Sequence, residues 1–464
     1  MSQKWIHLFG WICVFAVHNS NAYFHSEKQT DGGKNCFCEL KGSINDCSCN
    51  VDTVDYFNNN RITPRLKSLL IKDYFRFYKV NLKKDCPFWN DDDSKCAMKF
   101  CSVHPCEDKD IPEGLKGQHN VEKPFHKYIS ETQRNDCNED LNAELSYLNT
   151  SISQQAQLDF EKWANFDELG ENFCILDDHE EGAEYVDLLL NPERYTGYRG
   201  ESAHRIWRSI YLENCFGERK QGKSILTPMN KSPYNGLCME QRAFYRLISG
   251  MHTSINIHLS SNYLQSEPTD FVRPTGIWGR NLNEFNSRFS PEATDNEGPH
   301  WLKNLYFIYI IELRALAKAA PYLRKEQYFT GSDEEDMEVR AAVNDLLNII
   351  ESFPTHFNET LMFTGGFESL KLKSTFREKF RNISKIMDCV GCDKCRLWGK
   401  LQIQGLGTAL KILFSGKFDN KVSQTEDEND KFKLRRGEIV ALFNAFGRLS
   451  NSINELEEFR KIMR

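Results

Sequence analysis

Sixteen cysteines in 464 residues constrain this chain more than any other feature, because they fall in clusters and the compartment decides whether they bridge. The chain opens "MSQKWIHLFGWICVFAVHNSNAYF". Lys4 supplies a basic start, Ile6 to Val17 an apolar run of signal-peptide length, and Ser20 and Ala22 a small-residue cleavage site, which predicts removal of residues 1–22. The apolar run is shorter than the roughly 20 residues a bilayer needs. Loss of Cys13 with the leader leaves an odd number of cysteines, so at least one thiol is free or shared. In an oxidising compartment most of the others are expected to bridge.

The clusters differ in spacing. "CFCELKGSINDCSC" holds Cys36, Cys38, Cys47 and Cys49 around Gly42 and Asn45. This suits a hairpin with nested bridges Cys36–Cys49 and Cys38–Cys47, the alternative being a four-cysteine zinc site. Cys86, Cys96, Cys101, Cys106 and Cys137 lie in and after "DCPFWNDDDSKCAMKFCSVHPCEDKD", a polar stretch without helical periodicity. Long loops in compact domains are functional or disordered. The small ring of "CSVHPC" would add little stability as a bridge, so Cys101–Cys106 is either a local staple or a cystine for exchange chemistry. Cys215 and Cys238 suit an ordinary structural bridge, and Cys174 has no obvious mate.

"CVGCDKC" carries Cys389, Cys392 and Cys395. A zinc site needs a fourth ligand and the ferredoxin pattern a fourth cysteine before a proline, and neither follows. Residues three apart on a helical turn lie about 5 to 6 Å from each other, within disulfide reach. A helix start also lowers the pKa of a thiol placed there. Thiol chemistry at Cys392 and Cys395 is the reading that remains, with Cys389 paired to something distant.

The rest of the chain reads as helix. "TPRLKSLLIKDYFRFYKVNL", "QRAFYRLISGMHTSINIHL", "HWLKNLYFIYIIELRALAKAAPYL", "EVRAAVNDLLNIIESF" and "RGEIVALFNAFGRLSNSINELEEF" space their apolar residues at helical intervals. "RLWGKLQIQGLGTALKILF" does so apart from Gly405 and Gly407. Trp301 to Ala320 carries Lys303, Glu312, Arg314 and Lys318, too many charges for lipid. The predicted fold is an all-α bundle with a cysteine-stapled hairpin over residues 23–60, a helical domain over 61–464 and a long cysteine loop over 85–137. The net charge of −7 and the lack of a basic stripe give no sign of nucleic-acid binding. Sequons at Asn149, Asn230, Asn358 and Asn382 fit a lumenal, glycosylated chain. The C-terminus has no KDEL-type tail, so retention would come from a partner.

A dithiol that oxidises others repeatedly needs an electron sink. No metal site is in view, and no G-x-G-x-x-G follows a strand. Helical bundles hold cofactors between their helices. Arginines would meet a flavin's pyrophosphate and aromatic rings its ring systems. Arg194 and Thr196 in "NPERYTGY", Trp207 in "HRIWRSIY", His252 in "LISGMHTS" and Arg288 in "FNSRFS" are such residues, and each also reads as ordinary core or surface.

Taken together, "CVGCDKC" followed by "RLWGKLQIQGLGTALKILF", with "NPERYTGY", "AFYRLISGMHTSIN" and "LKNLYFIYIIELRAL", resembles the endoplasmic reticulum oxidoreductins over nearly the whole mature chain. The resemblance implies a mainly monomeric, FAD-containing thiol oxidase of the endoplasmic reticulum lumen, with peripheral membrane association allowed. It passes disulfides to protein disulfide isomerase and electrons to oxygen, forming hydrogen peroxide. By position it implies Cys392–Cys395 as the flavin-proximal pair and Cys101–Cys106 as the shuttle pair. It implies Cys96–Cys137 as a regulatory bridge that withholds Cys96 from Cys101. Cys86–Cys389, Cys36–Cys49, Cys38–Cys47 and Cys215–Cys238 become structural bridges. Arg194, Thr196, Trp207, Ser249, His252 and Arg288 become FAD contacts. Trp301 departs from the pattern, standing where some members carry a cofactor-touching arginine. The rival class is a secreted, cysteine-stapled binding protein without enzymatic activity.

Overall fold

A computed structural model describes residues 36–44, 46–89, 101–116, 172–193, 201–216, 237–266, 276–354, 356–414 and 433–464. The expected leader at 1–22, Cys96, Cys137, Arg194, Thr196, Asn149 and Asn230 lie outside the described residues.

Four long helices form the core, and each follows a helical apolar pattern in the sequence, interrupted in one of them by Gly405 and Gly407. They are α4 (Met239–Ser261), α6 (Gly298–Leu323), α9 (Asp393–Phe414) and α10 (Arg436–Met463). Around them come α1 (Val51–Phe57), α2 (Thr63–Leu70), α3 (Glu201–Arg208), α5 (Leu282–Phe289), α7 (Asp333–Ser352) and α8 (Phe367–Ile386). α4 packs on α6 and α9 on α10, while α6 also touches α9 and α10. α6 is buried on nearly every side, which is what a helix apolar all round requires. No helix among the described residues is long and apolar enough to cross a membrane.

Glycines allow two close helix crossings. A Cβ at Gly250 would meet the Asn304 carbonyl oxygen of α6 at 2.3 Å. One at Gly405 would meet Ala445 Cβ at 2.4 Å on α10. Gly405 and Gly407, interruptions in the sequence pattern, are therefore what lets α9 sit deep in the bundle. The Cys174 sulfur fills the space beside Gly407, 2.9 Å from where a Cβ would stand, so this thiol is buried core. Caps are equally local: Ser332 accepts the Glu335 N–H at the start of α7, whose first turn carries Asp333, Glu334, Glu335 and Asp336 against the helix dipole.

Four expectations change. The segment after Leu70 is not helix throughout: Phe77–Val80 forms strand β1, antiparallel to β2 (Glu184–Asp187), with Phe77 opposite Asp187 and Val80 opposite Glu184. Cross-strand pairing outweighs the local helical pattern there. The helical run from Val51 through the π-turn Asn58–Ile62 to Leu70 is unbroken, so residue 60 lies inside a helix. The N-terminal hairpin is present, held by the Ser43–Asn50 bridge and Ile44 N–H to Cys49 O at 2.9 Å. The expected Cys36–Cys49 and Cys38–Cys47 bridges are not formed: all four cysteines are free thiols, and the Cys36 sulfur lies 2.9 Å from Cys38 instead. Cys215 and Cys238 are likewise unbridged. Cys215 is buried, whereas Cys238 is exposed at the N-cap of α4, where its sulfur is turned to the helix's own N–H groups.

Of the two described sequons, Asn358 lies exposed, its Oδ1 accepting from Thr360 N at 3.1 Å and Oγ1 at 2.6 Å. Asn382 is half-buried within α8.

Candidate active site: an inner cystine with a docked cysteine segment

The "CVGCDKC" turn opens α9. Cys392 immediately precedes the helix and Cys395 lies in its first turn, their Cα atoms 5.1 Å apart and their sulfurs bridged. Both are buried, at 2% and 0% exposure. The Cys395 N–H points at the Cys392 sulfur, 3.3 Å away, so one of the helix's unsatisfied amides already faces a sulfur that carries negative charge when the bridge opens.

The turn is clamped from outside. Cys86–Cys389 joins it to the strand exit across 303 residues of sequence. Arg396 adds a second tie between the same segments, donating from Nε to Val390 O at 2.8 Å and from Nη1 to Leu82 O at 2.6 Å. One turn further on, Lys400 reaches Asp388 at 2.5 Å, Asp177 at 2.6 Å and Asn81 O at 3.1 Å. Burial pushes the Asp177 carboxyl up, partly offset by Lys400.

Against this turn lies residues 101–106. Lys394 N–H, between the two bridged cysteines, donates to Cys101 O at 2.9 Å. His104 N–H donates to Asn191 Oδ1 at 2.9 Å and Asn191 Nδ2 returns a bond to His104 O at 3.0 Å. Pro105 bridges Val186 and Cys106 N–H donates to Tyr185 O at 2.8 Å, so the segment lies along the edge of β2 through an isolated bridge. The cysteine pairing predicted here does not form. Cys101 is bridged to a cysteine outside the described residues, and Cys106 is a free, half-buried thiol. Cys101, His104 and Cys106 are tied to three different places, Lys394, Asn191 and Tyr185, which holds the stretch open against ring closure. Burial first, then Asp187, pushes the Cys106 thiol up to about 11.

Behind the turn, an apolar cleft is lined by Ile206 and Trp207 of α3, Met251 and Ile255 of α4, Val390 of the turn and Gln402 of α9. The Trp207 and His252 rings stack with centroids 3.7 Å apart. His252 Nδ1 lies 3.1 Å from the Tyr211 hydroxyl. Burial, then Arg288, pushes the His252 imidazole down to about 3, so it is neutral. Arg288 donates to Asn256 Oδ1 at 3.2 Å and Glu284 Oε2 at 3.1 Å. Trp207, His252 and Arg288 are thus brought together. Ser249, on the same helix as His252, instead accepts from Asn304 Nδ2 at 2.9 Å in the α4–α6 interface. The Trp301 carbonyl accepts from Thr253 Oγ1 at 3.1 Å, joining α6 to α4 near this cleft. The residues at and beside the cleft suit a flat heteroaromatic group: the Trp207 ring backed by the stacked His252, the nearby Arg288 cation, and the buried Gln402 Nε2, which has no hydrogen-bond partner among the described residues.

Sequence reasoning missed Asn191, Arg396, Lys400 and Gln402. Gln402 could have been found by projecting Cys395 two turns along a 3.6-residue period, whereas no such projection reaches Arg396 or Lys400 and nothing local marks Asn191.

Known proteins resemble the chain in sequence and in fold. The Ero1-like protein of Drosophila melanogaster is 60% identical over 460 residues, covering 96% of this chain and 94% of its own. Ero1-like protein alpha of Homo sapiens is 47% identical over 484 residues, covering 100% and 99%. A solved structure of a mutant S. cerevisiae Ero1p superposes with a TM-score of 0.56 at 28% identity, over 89% of this chain and 97% of that one. A second solved Ero1p, described as the source of disulfide bonds for oxidative protein folding in the cell, gives 0.57 at 30% identity, over 89% and 97%. With residues 61–456 matching as well, the chain belongs to the Endoplasmic Reticulum Oxidoreductin 1 family.

Proposed function

We propose that this oxidoreductase generates disulfides in the endoplasmic reticulum lumen. It takes electrons from protein disulfide isomerase and related thioredoxin-fold proteins through an outer cystine and then through Cys392–Cys395. The observation that carries the reading is the 2.9 Å hydrogen bond from Lys394 N–H to Cys101 O, which places a bridged outer cysteine against the turn of a buried inner cystine. With Cys106 free, Cys96 is the mate proposed for Cys101, and Cys137 the residue that withdraws Cys96 to lower activity.

The chemistry is two successive thiol–disulfide exchanges. An isomerase thiolate attacks the outer bridge, forming a mixed disulfide and releasing one outer thiolate. The second isomerase thiol resolves it, leaving the isomerase oxidised and the outer pair as two thiols. The outer dithiol then repeats this on Cys392–Cys395. Each exchange breaks one S–S bond, forms one and moves two electrons inward, with protons passing to the departing thiolates. Cys392 departs as a thiolate facing the first amides of α9, which favours charge there. Cys106, held up at about 11, stays protonated in the docked segment and does not compete as a nucleophile.

FAD, held by Arg194, Thr196, Trp207, Ser249, His252 and Arg288, would supply the two-electron acceptor that passes electrons to oxygen as hydrogen peroxide. The neutral His252 presents an uncharged face for stacking, and Gln402 offers a buried donor. Isomerase dithiols have potentials near −180 mV, so oxygen as terminal acceptor makes the direction favourable. Retention would rest on a lumenal partner, and the enzyme would act mainly as a monomer.

The purified chain should be yellow and consume oxygen with reduced isomerase. Cys101→Ala should stop isomerase oxidation while small dithiols that reach the inner pair are still oxidised, and Cys392→Ala should stop both. A colourless folded protein, or equal loss with both donors in Cys101→Ala, would overturn the reading.

A further inference from the structure

We propose that Asn191 is the positioning residue that latches the outer cysteine segment in register with the inner cystine. The inference rests on the shuttle reading above and adds to it a side chain that sets how well the two cystines meet. Asn191 is 1% exposed and every polar atom of it is engaged. Its amide grips both sides of the His104 peptide, Oδ1 accepting from His104 N–H at 2.9 Å and Nδ2 donating to His104 O at 3.0 Å. The second Nδ2 hydrogen goes to Asp187 O at 3.1 Å, fixing the amide plane on the end of β2. Its own carbonyl accepts from the Trp398 indole Nε1 at 2.9 Å, and Trp398 stands three residues after Cys395 on α9.

One residue therefore ties the segment, the strand and the helix bearing the inner pair. The Pro105–Val186 bridge and the Cys106 bond to Tyr185 fix the far end of the segment to β2 only. The Asn191 pair refers the segment to α9, in addition to the Lys394 bond at Cys101 itself. A two-point amide grip also mimics a β-ladder pair, so it can open and re-form without a covalent change, as a shuttling segment requires.

The test uses the flavin-loaded full-length enzyme, with oxygen uptake measured on reduced isomerase and on dithiothreitol. Asn191→Ala should lower the ratio of isomerase-driven to dithiol-driven kcat about ten-fold, with little change in KM for isomerase, the size expected for losing two hydrogen bonds. Amide hydrogen exchange at His104 should accelerate in the same variant, while that of α9 keeps its wild-type protection. Asn191→Asp, which keeps the acceptor for His104 N–H and loses the donor, should also lower the ratio. An unchanged ratio with faster exchange at His104 would overturn the latch. Equal loss with both donors, or loss of α9 protection, would reduce Asn191 to a structural residue and overturn it too. Cys101→Ala separates the two ideas. If it keeps isomerase-driven turnover, the shuttle reading itself fails. If it loses that turnover while both Asn191 variants match wild type, the latch alone fails.

Discussion

Cys392 and Cys395 sit at the start of a helix buried in the bundle, whereas Cys101 to Cys106 lie along the edge of a two-stranded ribbon. The inner pair is fixed by covalent and packing constraints: the Cys86–Cys389 bridge, the Arg396 clamp, and the close approach of α9 to α10 at Gly405. The outer segment is fixed by backbone and amide hydrogen bonds to Lys394, Asn191 and Tyr185. Hydrogen bonds of this kind are worth about 1 kcal/mol each net, while a buried packing surface yields only at several times that. The difference suits the two parts to different tasks: a fixed acceptor, and a carrier that can leave and return.

The comparison can be broken most directly at the clamp. Cys86→Ser with Cys389→Ser opens a bridge of sequence separation 303 and should cost roughly 4 kcal/mol of stability. Denaturant titration reads that loss, and both donors should lose turnover together; selective loss with isomerase would mean the bridge serves the carrier. Next in size, Gly405→Val drives a side chain into Ala441 and Ala445 of α10 and should cost about 3 kcal/mol in the same titration. A neutral result there would show the bundle to be looser than the carrier's mooring.

Acid should act on the bundle before the ribbon. His258, buried between α4 and α10, is pushed down to about 3, chiefly by burial and then by Arg448. A histidine depressed on folding is neutral in the folded chain and takes up a proton on unfolding. Stability is therefore full above the unfolded value near 6.5 and falls as pH drops from there towards 3. At pH 5 the loss should be about 2 kcal/mol relative to pH 7.5 from this one group. His258→Asn should flatten that slope, whatever it does at neutral pH; an unchanged slope would mean the ring is solvated. The smallest effect belongs to the ribbon. Tyr185→Phe removes a bond of 3.2 Å to Leu115 O and should cost about 1 kcal/mol or less, read as faster hydrogen exchange at Cys106 without a change in α9.

Much of the bundle was legible because α4, α6, α7 and α10 each carry an apolar period long enough to outweigh local accidents. The inner pair was legible for the same reason: Cys392 and Cys395 lie three apart just where a helical pattern begins. The ribbon was not. "FYKV" has helical neighbours, and only its pairing with Glu184–Asp187, a hundred residues away, makes it a strand. Cysteine pairing failed most often. Cys101 and Cys106 are close in sequence, yet their backbones are drawn to different partners. Cys36 approaches Cys38 and not Cys49.

By itself, then, the sequence determined the helices, the helix-start cystine and the family, since these depend on periodicity and spacing within one stretch of chain. Tertiary structure alone decided that Cys101 rests on Lys394 and that Asn191 holds His104 while gripping Trp398. It also decided that Gln402 lines the cleft and that its buried Nε2 has no hydrogen-bond partner among the described residues. Such contacts join residues tens to hundreds of positions apart. They are set by the burial of distant surfaces against each other, and no local pattern of residues encodes them.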